Sequence, residues 1–277
     1  MDKEQCNVKK YLSLAAIPIL YCMCLKPNNK LGRMDAFKDY YFAHRGFYDN
    51  KKKCPENSIP AFKKAIELGF GIELDVQKTS DGKLVVFHDA SLDRICGKDK
   101  LLTECTYKEL CSYNLTDTKE KIPTLDMVLK TVNGKVPLII EIKPEGDWKR
   151  TTKLLSEKMK KYNGKYCIES FHPLAVALYK KLQPQIPRGQ LASDMFKEKD
   201  KNNIVIKFLF TNLMLNFLAK PDFIAYNHYY SNNLSYRIIR KLFSVTNVAW
   251  TIKSKEELKK ARKIFDIFIF EGFIPEK

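Results

Sequence analysis

The chain has 277 residues, 45% of them apolar, and a formal charge of +17. The apolar fraction supports a packed core and excludes a disordered chain, and the charge favours phosphate-bearing partners: nucleic acid, an anionic membrane or a phosphorylated small molecule. Lys and Arg are spread along the chain with no arginine-rich block and no zinc-finger spacing, which argues against a nucleic-acid module; scattered lysine is also consistent with plain solvation. The cysteines (Cys6, Cys22, Cys24, Cys54, Cys96, Cys105, Cys111 and Cys167) form no C-x-x-C pair. They read as scattered thiols of a reducing compartment, not as a metal ribbon or a disulfide framework.

Lys9 and Lys10 precede an uncharged, largely apolar run over residues 11–25. It falls short of the roughly 20 residues that cross a bilayer. It reads as an interfacial or short membrane anchor, a signal peptide, or a helix packed on the domain. No small-x-small cleavage site follows, which counts against the signal peptide. The sequence favours a membrane-anchoring apolar segment over 1–34 ahead of a folded domain over 35–277. Basic residues flank the run on both sides (Lys9 and Lys10; Lys26, Lys30 and Arg33), so charge does not orient it. The expected location is a membrane surface, with the domain on the cytoplasmic side.

Residues 40–43 form a short apolar strand that ends abruptly in His44-Arg45-Gly46. Polar groups and a glycine at a strand end suggest a site at a strand–loop junction. Pro55-Glu56-Asn57-Ser58 opens a helix that Gly69 ends, with Asn57 or Ser58 as N-cap. Residues 71–76 (Gly-Ile-Glu-Leu-Asp-Val) alternate, so Glu73 and Asp75 share one face of a strand. Thr79-Ser-Asp-Gly82 is turn chemistry, and the strand over 84–87 returns antiparallel and delivers His88 near the level of Glu73. Two carboxylates on one strand face repel, and burying them calls for a counter-charge such as a hard divalent cation. The alternative is a solvated face carrying two harmless acids.

A polar insertion with a short helix around 107–110 occupies 90–123, and a helix follows over 125–132. The strand within 136–143 carries Glu141 and Lys143 on one face. Helix 148–162, strand 166–171, helix 172–182, strand 188–192, helix 204–218, strand 222–227, helix 234–243, strand 248–252, helix 255–264 and strand 267–270 complete the chain. Apart from the His88 return strand this gives eight strands separated by helices, which predicts an α/β fold, a (β/α)₈ TIM barrel with a short insertion and an N-terminal apolar helix. An open doubly wound sheet fits less well, because no G-x-G-x-x-G follows the first strand. In such a barrel the chemistry sits at the C-terminal strand ends. His44, Glu73, Asp75, Glu141, Lys143, Phe171 and Trp250 all fall at or near those ends.

HRG at 44–46, PENS at 55–58, IELDV at 72–76, the T-x-D-G turn at 79–82, VVFHD at 85–89, EIK at 141–143 and WT at 250–251 stand in order and spacing. As a set they resemble the glycerophosphodiester phosphodiesterases, from about residue 40 to residue 275. The resemblance implies His44 and His88 as the general acid–base pair, and Glu73, Asp75 and Glu141 as ligands of one divalent cation, Mg²⁺ or Ca²⁺. It implies Arg45 and Lys143 on phosphate oxygens. Phe171 and Trp250 are candidates for contact with substrate carbons, with barrel packing as the other reading. The family's last strand often ends in Thr-Asp; here Phe270-Glu271 stands there, and no role is carried over to it.

The implied reaction is metal-dependent hydrolysis of a small glycerophosphodiester to glycerol 3-phosphate and an alcohol, with a cyclic phosphate as a possible way-station. The apolar stretch 204–218 is expected to pack one face on the barrel. Read instead as an apolar lip, it points to a lysophospholipase D acting on membrane lysolipids. A non-catalytic barrel binding anionic headgroups would need the basic surface but not both histidines and three acids. A phosphoinositide-specific phospholipase C shares the two-histidine logic, but no feature of the sequence recognises inositol.

Overall fold

A computed structural model describes residues 17–28, 32–50, 53–198 and 202–276. Eight parallel strands close into a barrel: β1 (Tyr41–Ala43), β2 (Gly71–Lys78), β4 (Leu138–Ile142), β5 (Tyr166–Ser170), β6 (Arg188–Ala192), β7 (Phe223–Asn227), β8 (Thr246–Ile252) and β9 (Ile267–Phe270). Each pairs with the next, and β1 bonds to both β9 and β2. β3 (Leu84–Val86) is the exception, hydrogen-bonded antiparallel to the end of β2 with Val76 opposite Val86. This is the eight-stranded barrel expected of the alternating pattern.

Strand alternation separates two apolar layers. Ile72, Leu74, Val76, Leu138, Ile140 and Ile168 point outward into the main core beneath the helices. Ile139, Cys167, Leu191, Phe223, Ala225, Val248, Ile267 and Ile269 point into the barrel. Met34 and Phe37 pack with Phe42 in this inner cluster. Two glycines make room for the rings inside. A Cβ on Gly71 would lie 2.6 Å from the Phe42 ring, and one on Gly189 2.1 Å from Phe223. The small residues are therefore steric complements of large neighbours, as dense packing demands.

The outer helices begin where local chemistry caps them. In α2 (Ile59–Glu67) the Ser58 hydroxyl accepts from Ala61 N–H and Pro60 stands in the first turn. In α5 (Leu125–Val132) Thr124 accepts from Met127 N–H. Each such bond satisfies a donor that the helix leaves open. α6 (Trp148–Met159) and α7 (Pro173–Leu182) cover β4 to β6, and α10 (Leu234–Leu242) and α11 (Lys255–Ala261) cover the far side. The 90–123 insertion packs its own small core from Leu92, Ile95, Leu102, Cys105, Leu110, Leu115 and Ile122 against Val85 and Phe87. It contains α3 (Asp93–Cys96) and α4 (Tyr107–Leu110).

Two apolar stretches differ from expectation. The 204–218 stretch is not one helix. It breaks into α8 (Ile204–Thr211) and α9 (Asn216–Ala219), with buried Leu213 between them at φ 54°. A left-handed residue ends a helix, because an L side chain there cannot continue right-handed geometry. Nor does α8 bury one face in the manner of an outer helix: of its residues only Thr211 is buried. Of the N-terminal apolar run, residues 11–16 lie outside the described residues, and 17–25 are helical and are called α1 here. Leu25 at its end is fully buried in the main core, while Ile17, Ile19, Leu20 and Met23 are exposed. Among the described residues no helix is long and apolar enough to cross a membrane.

Candidate active site

The inward face that is apolar at the barrel's floor turns acidic at the C-terminal strand ends. Asp75 on β2 stands in register with Glu141 on β4, and Glu141 with Glu169 on β5. Glu73 lies two residues back on the same face of β2. All four are buried. One carboxylate oxygen from each of Glu73, Asp75 and Glu141 lies within 4.8 Å of the others. Asp75 Oδ1 and Glu141 Oε1 are buried and accept no hydrogen bond among the described residues; each is ion-paired to the Lys143 ammonium, 3.5 Å and 3.0 Å away. Buried carboxylate oxygens with unused lone pairs are what a hard divalent cation requires, so the donor set fits Mg²⁺ or Ca²⁺.

Electrostatics show the strain of this cluster. Burial pushes Glu73 well above the usual carboxylate range, and the charges of Asp75, Glu169 and Glu141 add to the shift. Burial and repulsion from Glu141 and Asp75 do the same to Glu169. Burial also raises Glu141, partly opposed by Lys143. Burial acts on Asp75 in the same sense, but His88, Lys143, Arg45 and the Asn57 amide outweigh it and hold Asp75 low. The cluster thus divides into one carboxylate kept ionised and three pressed towards protonation, as expected where like charges share a low-dielectric site.

His44 follows β1, and its Nδ1 lies 2.6 Å from Glu271 Oε2, just past β9. An ionised carboxylate only accepts, so Nδ1 carries the proton and Nε2 is free to face the site. His44 Nε2 is 4.0 Å from Glu73 Oε2. Burial lowers the His44 pKa, and the Glu271 bond works against that fall. Burial raises Glu271, but His44 and Lys253, the latter 2.9 Å away, outweigh it and keep the carboxylate ionised. His88 is built in the same way. The β2–β3 pairing continues with Phe87 N–H donating to Asp75 O, which brings His88 back beside the acids, and its Nδ1 lies 2.6 Å from Asp89 Oδ1. Both imidazoles line one cavity of about 390 Å³, together with Arg45, Glu56, Glu73, Glu141, Glu169, Phe171, Trp250 and Glu271.

Arg45, Gly46 and Asn57 all have positive φ, at 55°, 81° and 54°. Two of these are not glycine, a conformation that costs energy and persists where surrounding bonds enforce it. Here Arg45 N–H donates to Glu73, Arg45 O accepts from Asn57 N–H, and the Asn57 amide donates to Asp75 Oδ2 at 2.8 Å. The HRG and PENS segments thereby lock the acids' orientation. The Arg45 guanidinium reaches Glu56 at 2.7 Å and stands 3.7 Å from Asp75. Phe171 and Trp250 meet edge to face, 5.6 Å between centroids, in the cavity wall.

All nine residues singled out from the sequence therefore gather at one end of the barrel. Three further residues belong with them. Glu271 and Asp89 orient the histidines, and Glu169 is a fourth buried acid whose Oε2 has no partner among the described residues. Glu169 had a readable signal: a lone carboxylate near the end of an apolar strand, as at Glu141. Glu271 is marked in the sequence only as a departure with no role attached; closure of the barrel supplies the role by placing the end of β9 beside β1.

Glu56 ties the rim together, bonding Arg45 and, in a fork, Arg94 from α3. Burial raises its pKa, but the two guanidiniums dominate and hold it at about 2 against an ordinary 4.5. A depressed carboxylate stabilises the fold fully above its unfolded pKa, and that stability is lost as pH falls towards the folded value. Glu56→Gln is therefore expected to cost about 2–3 kcal/mol at pH 7, allowing for screening at half-exposed Arg94. The gap should close as pH falls from about 4.5 towards 2. Urea unfolding of both proteins at pH 7, 4 and 3 measures it, and a gap that does not change with pH rejects this account.

The model of the Glycerophosphoryl diester phosphodiesterase family matches residues 44–265. A glycerophosphodiester phosphodiesterase of Bacillus altitudinis is 36% identical over 172 residues, covering 57% of this chain and 69% of that protein. Another from Caldanaerobacter subterraneus is 36% identical over 165 residues, covering 56% and 67%. The glycerophosphodiester phosphodiesterase of Thermotoga maritima superposes with a TM-score of 0.63 at 27% identity, over 83% of this chain and 94% of that one. An Oleispira antarctica phosphodiesterase, solved with sn-glycerol-3-phosphate, shares the fold with a TM-score of 0.68 at 23% identity, over 83% and 92%. A match that takes in β2 to β8 and every acid of the buried cluster makes this chain a member of the glycerophosphoryl diester phosphodiesterase family.

Proposed function

We propose that this protein hydrolyses glycerophosphodiesters to glycerol 3-phosphate and an alcohol, using His44 and His88 as a general acid–base pair. The observation that carries the reading is the pair of imidazoles on one cavity beside the three-acid cluster, each with Nδ1 held by its own carboxylate. Phosphodiester cleavage needs one group to take the proton of the attacking hydroxyl and another to give a proton to the departing alkoxide. Two imidazoles with fixed tautomers meet that need. The new O–P bond forms as the P–O bond to the leaving alcohol breaks, and the leaving oxygen departs with the second imidazole's proton. Glu73, Asp75 and Glu141 would hold one Mg²⁺ or Ca²⁺, which when bound supplies Lewis-acid polarisation of a phosphate oxygen. Arg45 and Lys143 take phosphate oxygens, and Phe171 and Trp250 hold the organic part of the substrate.

The attacking hydroxyl belongs either to water or to the substrate's own glycerol. In the second case a cyclic glycerol phosphate forms first and water then opens it. Rapid-quench sampling that traps no cyclic species would leave direct water attack. The assay of the whole reading is divalent-dependent release of glycerol 3-phosphate from a panel of diesters. Release that persists in EDTA, or no release from any glycerophosphodiester, overturns it.

A second reading, lysophospholipase D activity, draws support from a groove of about 640 Å³ that continues the site past His88, Phe171 and Trp250 to Ile206 and Phe210 of α8. Its apolar wall suits a single acyl chain. Faster hydrolysis of lysophosphatidylcholine than of glycerophosphocholine would favour it. Membrane attachment through the N-terminal run belongs to the same proposal, on the support of the exposed apolar residues Ile17, Ile19, Leu20 and Met23.

A further inference from the structure

α8 reads Ile-Val-Ile-Lys-Phe-Leu-Phe-Thr. It is apolar around its whole circumference apart from Lys207 and the last residue, Thr211, and such a helix is ordinarily buried on all sides. Here it is not. Ile206 and Phe210, one turn apart, line the groove that leads into the site. Ile204 and Phe208 stand about 120–160° away from them around the helix, and they are 72% and 50% exposed; Val205 beside them is 62% exposed. One face of α8 therefore serves the site, and among the described residues the opposite apolar face is largely open to solvent.

The surroundings say what covers that face. α1 is fastened to the same flank: the Asn216 amide donates to Leu25 O at 3.1 Å, and the Tyr21 hydroxyl meets Ser235, whose own hydroxyl reaches Asn212 at the C-terminus of α8. α1 exposes Ile17, Ile19, Leu20 and Met23, and α9 exposes Phe217 and Leu218. Among the described residues from Ile17 to Met34 and from Asn202 to Pro221 there is no Asp or Glu, while Lys26, Lys207 and Lys220 stand there. An apolar surface set in segments that carry lysine and no acid is the chemistry of interfacial binding: side chains enter the headgroup–acyl boundary and ammonium groups meet anionic headgroups. A second copy of the chain would bring the same positive segments together, which electrostatics disfavours.

We propose that the outward face of α8, formed by Ile204, Val205 and Phe208, docks on an anionic lipid surface and holds the mouth of the catalytic groove against it. This goes beyond hydrolysis itself and stands whichever diester is cleaved. None of the three residues lines the site or its groove.

The test uses the full chain, sedimented with phosphatidylcholine vesicles containing or lacking phosphatidylserine. The wild type is expected to bind the anionic vesicles and to be released by high salt. The triple variant Ile204→Asn, Val205→Asn, Phe208→Asn is expected to bind at least about tenfold more weakly, with unchanged turnover of a soluble glycerophosphodiester as the sign of an intact fold. Vesicle binding by the variant equal to wild type overturns the proposal and leaves α1 as the lipid contact. Absence of wild-type vesicle binding also overturns it, and light scattering then shows whether a second copy covers the face. If the variant loses turnover, the single Val205→Asn change replaces it, and unaltered vesicle affinity in that protein overturns the proposal equally.

Discussion

His44→Ala is expected to lower kcat by about 10²–10⁴-fold, the usual worth of a positioned general acid or base, with a much smaller change in KM. The residue sits at a strand end, is bonded through Nδ1 to Glu271 at 2.6 Å, and turns Nε2 towards the acid cluster. Glu271→Gln should also slow turnover, by less, because an amide still offers an oxygen to Nδ1–H but no charge to favour the imidazolium. The two residues act as one unit, so the double variant should be hardly slower than His44→Ala alone. Steady-state kinetics on the three proteins measure this. Undiminished kcat in His44→Ala would remove the acid–base assignment, and strictly additive losses would remove the link to Glu271.

The second large effect concerns the metal cluster and runs in opposite directions for stability and function. Burial, and after it the neighbouring carboxylates, resist the ionisation of Glu73. Without a cation this is a liability, since buried like charges oppose folding. Glu73→Gln keeps an oxygen to accept from Arg45 N–H and removes the charge. In EDTA the variant is expected to melt no lower than wild type, and higher by up to a few degrees. Added Mg²⁺ or Ca²⁺ should behave oppositely: a ligand at 100 times its Kd stabilises by about 2.7 kcal/mol, a shift the wild type shows and the variant loses. Turnover should fall with the lost affinity. Thermal denaturation with and without each cation reads both arms. An equal cation-induced shift in the two proteins would exclude Glu73 from the ligand set.

The two predictions rest on parts of the chain that were unequally legible. Glu73, Asp75 and His88 were readable because a single hairpin contains them: alternation puts both acids on one face, and the Thr79–Gly82 turn returns the histidine. The β2–β3 register bears this out, with Phe87 N–H on Asp75 O. The eight-strand count was readable because helices and strands differ in period. The 204–218 stretch misled for a related reason. Apolar content is the same whether a helix is covered by the barrel or faces outward, and the break at Leu213 turns on a backbone angle that composition does not encode.

What the sequence by itself determined is therefore local: which residues alternate, which turns are tight, which acids share a strand face, and the set of motifs that resembles one family. What only the tertiary structure decided is closure and its consequences. Joining β9 to β1 sets Glu271 on His44 across 227 positions of chain. Registering β5 against β4 adds Glu169 to the acids, and α3 carries Arg94 to Glu56. Short-range order follows from steric and hydrogen-bonding preferences of neighbouring residues. Contacts between distant segments follow from how whole elements pack, and no window of sequence contains that information.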